Sequence, residues 1–305
     1  MPAASWPTSR RWRASAATPS APSAGKRAAA GWRAALAGPA WDGQWYKRAF
    51  FDDGQPLGSA ANSEARIDLI AQAWAVLSGV EGEPGRAQQA MASAHALLVD
   101  AEAGLIRLLD PPLAHADPSA GYIQAYPPGV RENGGQYSHA GIWALMAQAQ
   151  LNRPSDLPYQ YFCHLSPAHR AAHPQQGPVY GLEPYVMAGD IYTQPPYIGR
   201  GGWSWYTGAA AWLHRAALEA IFGLKLEAQS LSFAPCLPAH WPEAELTLRR
   251  DGRQMRFILL RATPEQARVA AAAAGATLID EGQVLRWQDL APETCFVLPL
   301  TPIAA

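Results

Sequence analysis

The hydrophobic spacing changes once along this chain, and that change limits the fold more than any single motif. Up to about Gly223 the apolar residues recur every three or four positions, as in Ile67, Ile70, Ala71, Trp74 and Leu77, the period of a helix with one buried face. Beyond Leu224 they alternate, as in Leu246 and Leu248 and then Met255, Phe257 and Leu259. These two runs flank Asp251-Gly252, a dipeptide suited to a two-residue hairpin turn. A helical body followed by a small β unit is therefore expected. Helices are expected from a cap at Asn62-Ser63 to Leu77, with Gly79 just past the end, and from about Pro84 to Val99. Others should follow Ser138, read as a capping residue, and lie near Tyr159 to Leu165, near Leu182 to Tyr192, and from near Trp205 to Gly223. In the β unit, Thr277 to Arg286 around Glu281-Gly282 reads as a second hairpin and Cys295 to Leu298 as a closing strand.

Composition removes several function classes. A hydrophobic content of 49% with 16% charged residues is that of a globular chain, and a net charge of −1 argues against a nucleic-acid binder. No apolar run approaches the roughly 20 residues of a membrane span. Cys163, Cys236 and Cys295 are odd in number and far apart, without disulfide-framework or zinc spacing, which points to a reducing compartment such as the cytoplasm. Residues 1–40 stand apart, rich in Ala, Ser, Pro and Arg with no Asp or Glu. Such a segment buries little and is expected to be unstructured, a chance N-terminus or, by composition, a transit peptide.

Chemistry concentrates in the stretch from Tyr126 to His139, Tyr-Pro-Pro-Gly-Val-Arg-Glu-Asn-Gly-Gly-Gln-Tyr-Ser-His, which runs into the apolar pattern of Ile142, Leu145, Met146 and Ala149. Glycines allow close backbone approach, and the start of a helix offers unpaired N–H groups and a positive dipole end to an anion. Arg131, Glu132 and Asn133 carry the donors and acceptors that phosphate or sugar hydroxyls require. The bland alternative is a glycine-rich helix cap with His139 as an ordinary packed histidine. Gly199-Arg200-Gly201-Gly202, leading to Trp203, Trp205, Thr207 and Gly208, repeats the pattern of a glycine loop opening a helix. Twelve Trp and eleven Tyr suit stacking on sugar faces, although core packing explains most aromatics. Glu64, Asp68, Glu183 and Asp190 flank helices and read as solvated or capping carboxylates rather than catalytic ones.

Four segments in order, Trp45 to Gly54, Ile67 to Gly79, the Tyr126 to His139 loop and Gly201 to Gly208, resemble glycoside hydrolase family 94, with a match over about residues 26–260. The resemblance is strongest to the C-terminal phosphorylase-like domain of cyclic β-1,2-glucan synthases, with cellobiose phosphorylases further off. It implies a mainly α fold, the C-terminal part of an (α/α)6 barrel followed by a small antiparallel β-domain, divided as 41–228 and 229–305. It further implies that His139, Thr207 and Gly208 hold inorganic phosphate as co-substrate, and that Tyr126, Arg131 and Glu132 hold sugar. Relatives often have Lys where this chain has Arg131. No metal or other cofactor is implied, and inner-membrane association is implied only for a full-length enzyme.

One departure stands out. The family's general-acid aspartate belongs to an Asp-Trp-Asn-Asp type motif that lies before everything matched here, and this chain contains no such motif. The resemblance therefore implies a C-terminal fragment of a phosphorolytic enzyme acting on a β-glucan, inactive alone for want of the acid, with the missing N-terminal half of the enzyme or a second copy of the chain as its expected protein partner. Two other readings stay open: an α/α-barrel hydrolase using Glu132 as its acid, and a non-catalytic carbohydrate-binding module.

Overall fold

The computed structural model describes residues 21–301. Ten α-helices occur among them: α1 (Ala21–Ala37), α2 (Leu69–Leu77), α3 (Arg86–Leu98), α4 (Tyr122–Ala125), α5 (Ser138–Leu151), α6 (Leu157–Leu165), α7 (Pro167–Ala172), α8 (Gly177–Tyr180), α9 (Ala209–Ala216) and α10 (Pro264–Ala274). The expectation of an unstructured segment before residue 41 does not hold for α1. Its run of alanines favours helix, Leu36 packs against the core, and the Arg86 guanidinium donates to the Ala37 carbonyl at 2.8 Å. The rest of that expectation falls on residues 1–20, outside the described ones.

Helix α5 is the axis of the helical body. It packs against α2, α3, α6 and α9, and Ile142, Ala144, Leu145 and Ala147 are fully buried on different sides of it. A helix that is apolar all round belongs inside a fold. Gly141 permits the closest crossing, since an added Cβ there would meet a Leu165 methyl of α6 at 2.7 Å. Buried polar groups on neighbouring elements are paired. Gln72 accepts from the Tyr46 N–H and donates to the Tyr46 and Asp68 carbonyls, each at 2.8 Å.

Several element boundaries differ from those expected. Helix α2 is capped by Asp68, which accepts from the Ile70 N–H at 2.8 Å, whereas Asn62 closes an upstream turn by accepting from the Ser59 N–H. Its buried residues are Leu69, Gln72, Ala73, Ala75 and Val76, offset from the expected stripe; Trp74 is partly exposed and leans edge-on against Trp143. Helix α5 begins one residue after Tyr137, so Ser138 is not its cap; the Ser138 hydroxyl donates instead to the Ala188 carbonyl at 2.6 Å. No helix spans 182–192. Pro184 and Gly189 interrupt it, and the stretch ends in a two-residue strand, Asp190–Ile191. The last helix begins at Ala209, continues through a π-helical turn at Ala217–Ile221 and stops at Gly223, whose φ is +73°.

The C-terminal part contains two sheets. Strands Glu243–Arg250 and Arg253–Arg261 form the expected hairpin, and both turn residues, Asp251 and Gly252, have positive φ. The four-stranded sheet is nevertheless mixed, not antiparallel: Arg253–Arg261 and Thr277–Leu278 both run parallel to Glu293–Leu300. Helix α10 makes the difference, because a crossover is what joins parallel neighbours. Glu293–Leu300 is accordingly an inner strand. Thr277 to Arg286 is no hairpin either. Its first strand joins this sheet, and Leu285–Arg286 pairs with Ser230–Phe233 and, through it, Leu224–Leu226 in a separate three-stranded sheet. Phe233 of one sheet and Phe257 of the other meet with ring centroids 4.7 Å apart, and one contiguous apolar core runs from α2, α5 and α9 into both.

Candidate anion and sugar site

The Tyr126 to His139 loop and the Gly199 to Gly208 loop lie side by side, separated by a single extended segment, residues 188–191. On one flank Gln136–Tyr137 pairs antiparallel with Asp190–Ile191. On the other, Ala188 bridges to Ser204 and Ile191 to Gly201. Backbone bonds complete the strip: the Ser138 N–H donates to Gly189, the Gly189 N–H to Trp203, and the Gly202 N–H to Asp190. The Thr193 hydroxyl donates to the Gly134 carbonyl at 2.7 Å, anchoring the glycine pair of the first loop.

This strip brings two helix starts together. His139 stands in the first turn of α5, its ring between Tyr137 at 5.6 Å and Trp143 at 5.9 Å, centroid to centroid. Gly208 is the N-cap of α9, and a Cβ added there would lie 3.3 Å from His139 Nε2, so the imidazole looks directly onto the α9 start. Thr207 accepts the Ala209 N–H at 3.1 Å, which leaves its own O–H as a donor. His139, Thr207 and Gly208 thus form one small cluster of donors at two positive helix ends, an arrangement suited to an anion. Burial holds the His139 imidazole below the ordinary histidine range, which favours the uncharged ring.

The remaining predicted residues form a second, adjoining group. Arg131 adopts a left-handed backbone, φ +50°, and its guanidinium lies 5.4 Å from both the Tyr126 and the Trp203 ring centroids. It donates to the Tyr126 hydroxyl at 3.4 Å, and that bond is the main cause of its raised pKa. Glu132 is half-buried with one carboxylate oxygen sealed from solvent and without a protein partner. Burial first, and neighbouring Glu132 second, push the Tyr137 phenol upward. Asn133 is wholly internal: its amide spans the Leu113 N–H and carbonyl and the Tyr126 carbonyl, so it shapes the loop rather than facing a ligand.

Of the flanking carboxylates, Asp68 and Glu64 serve backbone amides, the latter binding the Ala114 and His115 N–H groups, and Glu183 sits in a turn. Asp190 departs from the solvated reading. It is 1% exposed and lies between the two loops, a position that sequence spacing does not reveal because its partners are 13 and 59 residues away. Nor does sequence spacing pair Trp203 with Arg131, whose guanidinium it faces. The two-loop face is open, with Trp203, Trp205 and Tyr206 each more than half exposed. A cavity of about 570 Å³ lies toward the other end of α5, lined by Leu77, Met146, Arg153, Arg215, Glu219 and Leu224, and brings none of these donors together. Among the described residues no cluster of His, Cys, Asp and Glu is arranged to hold a metal, and no helix is long and apolar enough to cross a membrane.

The chain is 45% identical over 227 residues to cyclic beta-(1,2)-glucan synthase NdvB of Rhizobium meliloti (strain 1021), covering 74% of this chain and 8% of that protein. It is 33% identical over 209 residues to solabiose phosphorylase of Paenibacillus borealis, covering 68% and 26%, and 28% identical over 258 residues to N,N'-diacetylchitobiose phosphorylase of Vibrio proteolyticus, covering 77% and 31%. The chain therefore spans less than a third of the length of these relatives. The profile of the Glycosyl hydrolase 94 superfamily, catalytic domain, matches residues 18–223, which takes in every helix from α1 to α9 and both loops, and the chain belongs to that family.

Proposed function

We propose that this chain supplies the phosphate-holding and sugar-holding part of an (α/α)6-barrel glycoside phosphorylase or glycosyltransferase acting on β-glucans, with β-1,2-linked glucan as the favoured substrate. Residues 41–228 would form the barrel portion and 229–305 the β cap. The observation that carries the reading is the meeting of two helix starts at His139 and Gly208, beside a glutamate whose buried oxygen has no protein partner. In this reading phosphate lies between His139, Thr207 and the Gly208 backbone. Tyr126 offers a ring face to the sugar, Arg131 donates to its hydroxyls, and Glu132 accepts from one of them.

Phosphorolysis with inversion needs a phosphate oxygen to attack the anomeric carbon from one face while the glycosidic oxygen leaves from the other with a proton. The residues above hold the nucleophile and the ring. Neutral His139 donates one N–H to phosphate, and as it is drawn toward the imidazolium form it offsets phosphate charge without repelling the attacking oxygen. None of them is placed here as the proton donor, and the chain is proposed to need an acid from a complementary polypeptide. General acid catalysis commonly contributes about 10²–10⁴-fold, so the chain alone should turn over glucoside barely or not at all.

The test is a release assay for glucose 1-phosphate from β-1,2-gluco-oligosaccharide, using the chain alone and the chain mixed with the N-terminal part of a relative. Phosphate-dependent release only in the mixture supports the proposal. Release of free glucose without phosphate identifies a hydrolase, and robust phosphorolysis by the chain alone overturns the missing-acid reading.

A further inference from the structure

Asp190 has no role in the reading above, yet no other carboxylate among the described residues joins the two loops. Its two oxygens are used separately: one accepts the Arg131 N–H at 2.9 Å and the other the Trp203 N–H at 3.1 Å. Arg131 and Trp203 are the two residues whose side chains meet over the sugar-facing surface, and Trp203 begins the short segment that ends at Thr207 and Gly208. The strand that carries Asp190 pairs with Gln136–Tyr137, one residue short of His139. Close approach is built in from the far side as well. A Cβ on Gly202 would overlap the Asp190 carboxylate, and a Cβ on Gly135 would lie 2.8 Å from Arg131 backbone atoms.

We infer that Asp190 is a positioning residue that fixes the sugar-binding loop and the phosphate-binding loop in one mutual arrangement, so that occupation of either subsite favours occupation of the other. The inference rests on the proposed functions of the two loops, but its physical content does not. A buried acceptor that serves two otherwise unconnected N–H groups holds both strands of chain at a set separation. If it is lost, each amide is left unpaired in a part-buried position. The left-handed Arg131 backbone is then no longer held, since a non-glycine residue keeps that conformation only where its surroundings impose it. Aspartate is specifically required. An asparagine of the same shape has one acceptor oxygen and one donor nitrogen, so it can satisfy either Arg131 or Trp203 and must set an N–H against the other.

The experiment uses the full chain and Asp190→Asn, Asp190→Ala and Gly202→Ala. Hydrogen exchange of segments 129–135 and 201–207 is followed without ligand, and then binding of inorganic phosphate and of sophorose, a β-1,2-linked glucose disaccharide, is measured separately and together. Coordinated loss of protection in both segments, with α5 still protected, is expected in Asp190→Ala and Gly202→Ala. Wild type should bind phosphate more tightly when sophorose is present. That coupling should vanish in all three variants, while phosphate affinity alone falls by roughly tenfold or more, the size of effect expected when a charge-assisted hydrogen bond is lost. Loosening of only one segment, or retained coupling in Asp190→Asn and Gly202→Ala, overturns the inference. Coordinated loosening in a protein whose wild type binds neither probe upholds the clasp and instead removes the proposed function of the loops.

Discussion

Replacing His139 with alanine should uncouple phosphate from the stability of the fold. A ligand that binds only the folded chain at 100 times its Kd stabilises it by about 2.7 kcal/mol. In a chain of this size each kcal/mol moves the midpoint of thermal unfolding by roughly 2–4 °C, so phosphate should raise it by about 5–10 °C. His139 contributes the only side chain of the cluster that can become cationic, and its ring is fixed by Tyr137 and Trp143 with Nε2 turned to Gly208. Losing one charge-assisted hydrogen bond weakens binding by about 1.5–3 kcal/mol, or roughly 10–100-fold. At the same phosphate concentration the stabilisation then drops to about 0.4–1.4 kcal/mol, a shift of roughly 1–5 °C. The substitution also opens a space between two aromatic rings and lowers the ligand-free midpoint, so the phosphate-induced shift, and not the midpoint itself, is the quantity to compare. Differential scanning fluorimetry across a phosphate series measures it, with exposed His214→Ala on α9 as the control that should keep the full shift. Equal shifts in His139→Ala and wild type would refute the assignment.

Other outcomes follow from the same geometry. Glu132→Gln and Tyr126→Ala should each weaken sophorose binding by about tenfold, measured by calorimetry, while circular dichroism stays unchanged; unfolding in place of weaker binding would make both residues structural. Burial holds His139 and His164 below the ordinary histidine value, so the unfolded chain takes up more protons between the folded and unfolded pKa values. Their effect is absent above about pH 6.5 and becomes a loss of stability as the pH falls below it, and His139→Gln should make the acid limb of the stability curve shallower in urea titrations. An anion reverses the sign locally, because it favours the imidazolium. Binding of sulfate, whose charge is constant here, should tighten from about pH 7.5 to 6 in wild type and stay flat in His139→Gln. Phe257→Ala should cost about 3–5 kcal/mol in denaturant unfolding, since Phe257 packs on both Phe233 and Phe296 and is almost fully buried.

What could be read from the sequence was local. The helix after Tyr137, the Asp251-Gly252 hairpin and the stop at Gly223 all follow from residues within a few positions of one another. Helix α2 shows the limit of periodicity: Leu-Ile-Ala-Gln-Ala-Trp-Ala-Val-Leu is apolar nearly all round, so the spacing gave a helix and could not choose its buried face. Helix α10 did carry a local signal that the alternation on either side obscured. Thr263-Pro264-Glu265-Gln266 is a capping box, and both of its reciprocal bonds form. A helix there implies a crossover after Arg253–Arg261 and hence parallel strands in this sheet. Asp190 lay beyond any such rule. Its place between Arg131 and Trp203 depends on strand pairing across 59 and 13 residues, and nothing in Gly-Asp-Ile-Tyr marks it locally.

The shared core has a consequence for how the chain comes apart. Leu224, Leu231 and Phe233 belong to the same buried cluster as Ala216 of α9 and Ile221 of the π turn that follows it, and as Phe257, Phe296 and Leu298 in the mixed sheet. A hinge needs a plane along which few side chains interlock, and no such plane lies between these residues. Heat or denaturant should accordingly melt the helices and sheets in one cooperative step, seen as coincident near- and far-ultraviolet transitions. A protease acting on the native chain would find no seam near residue 228 at which to release a folded β fragment.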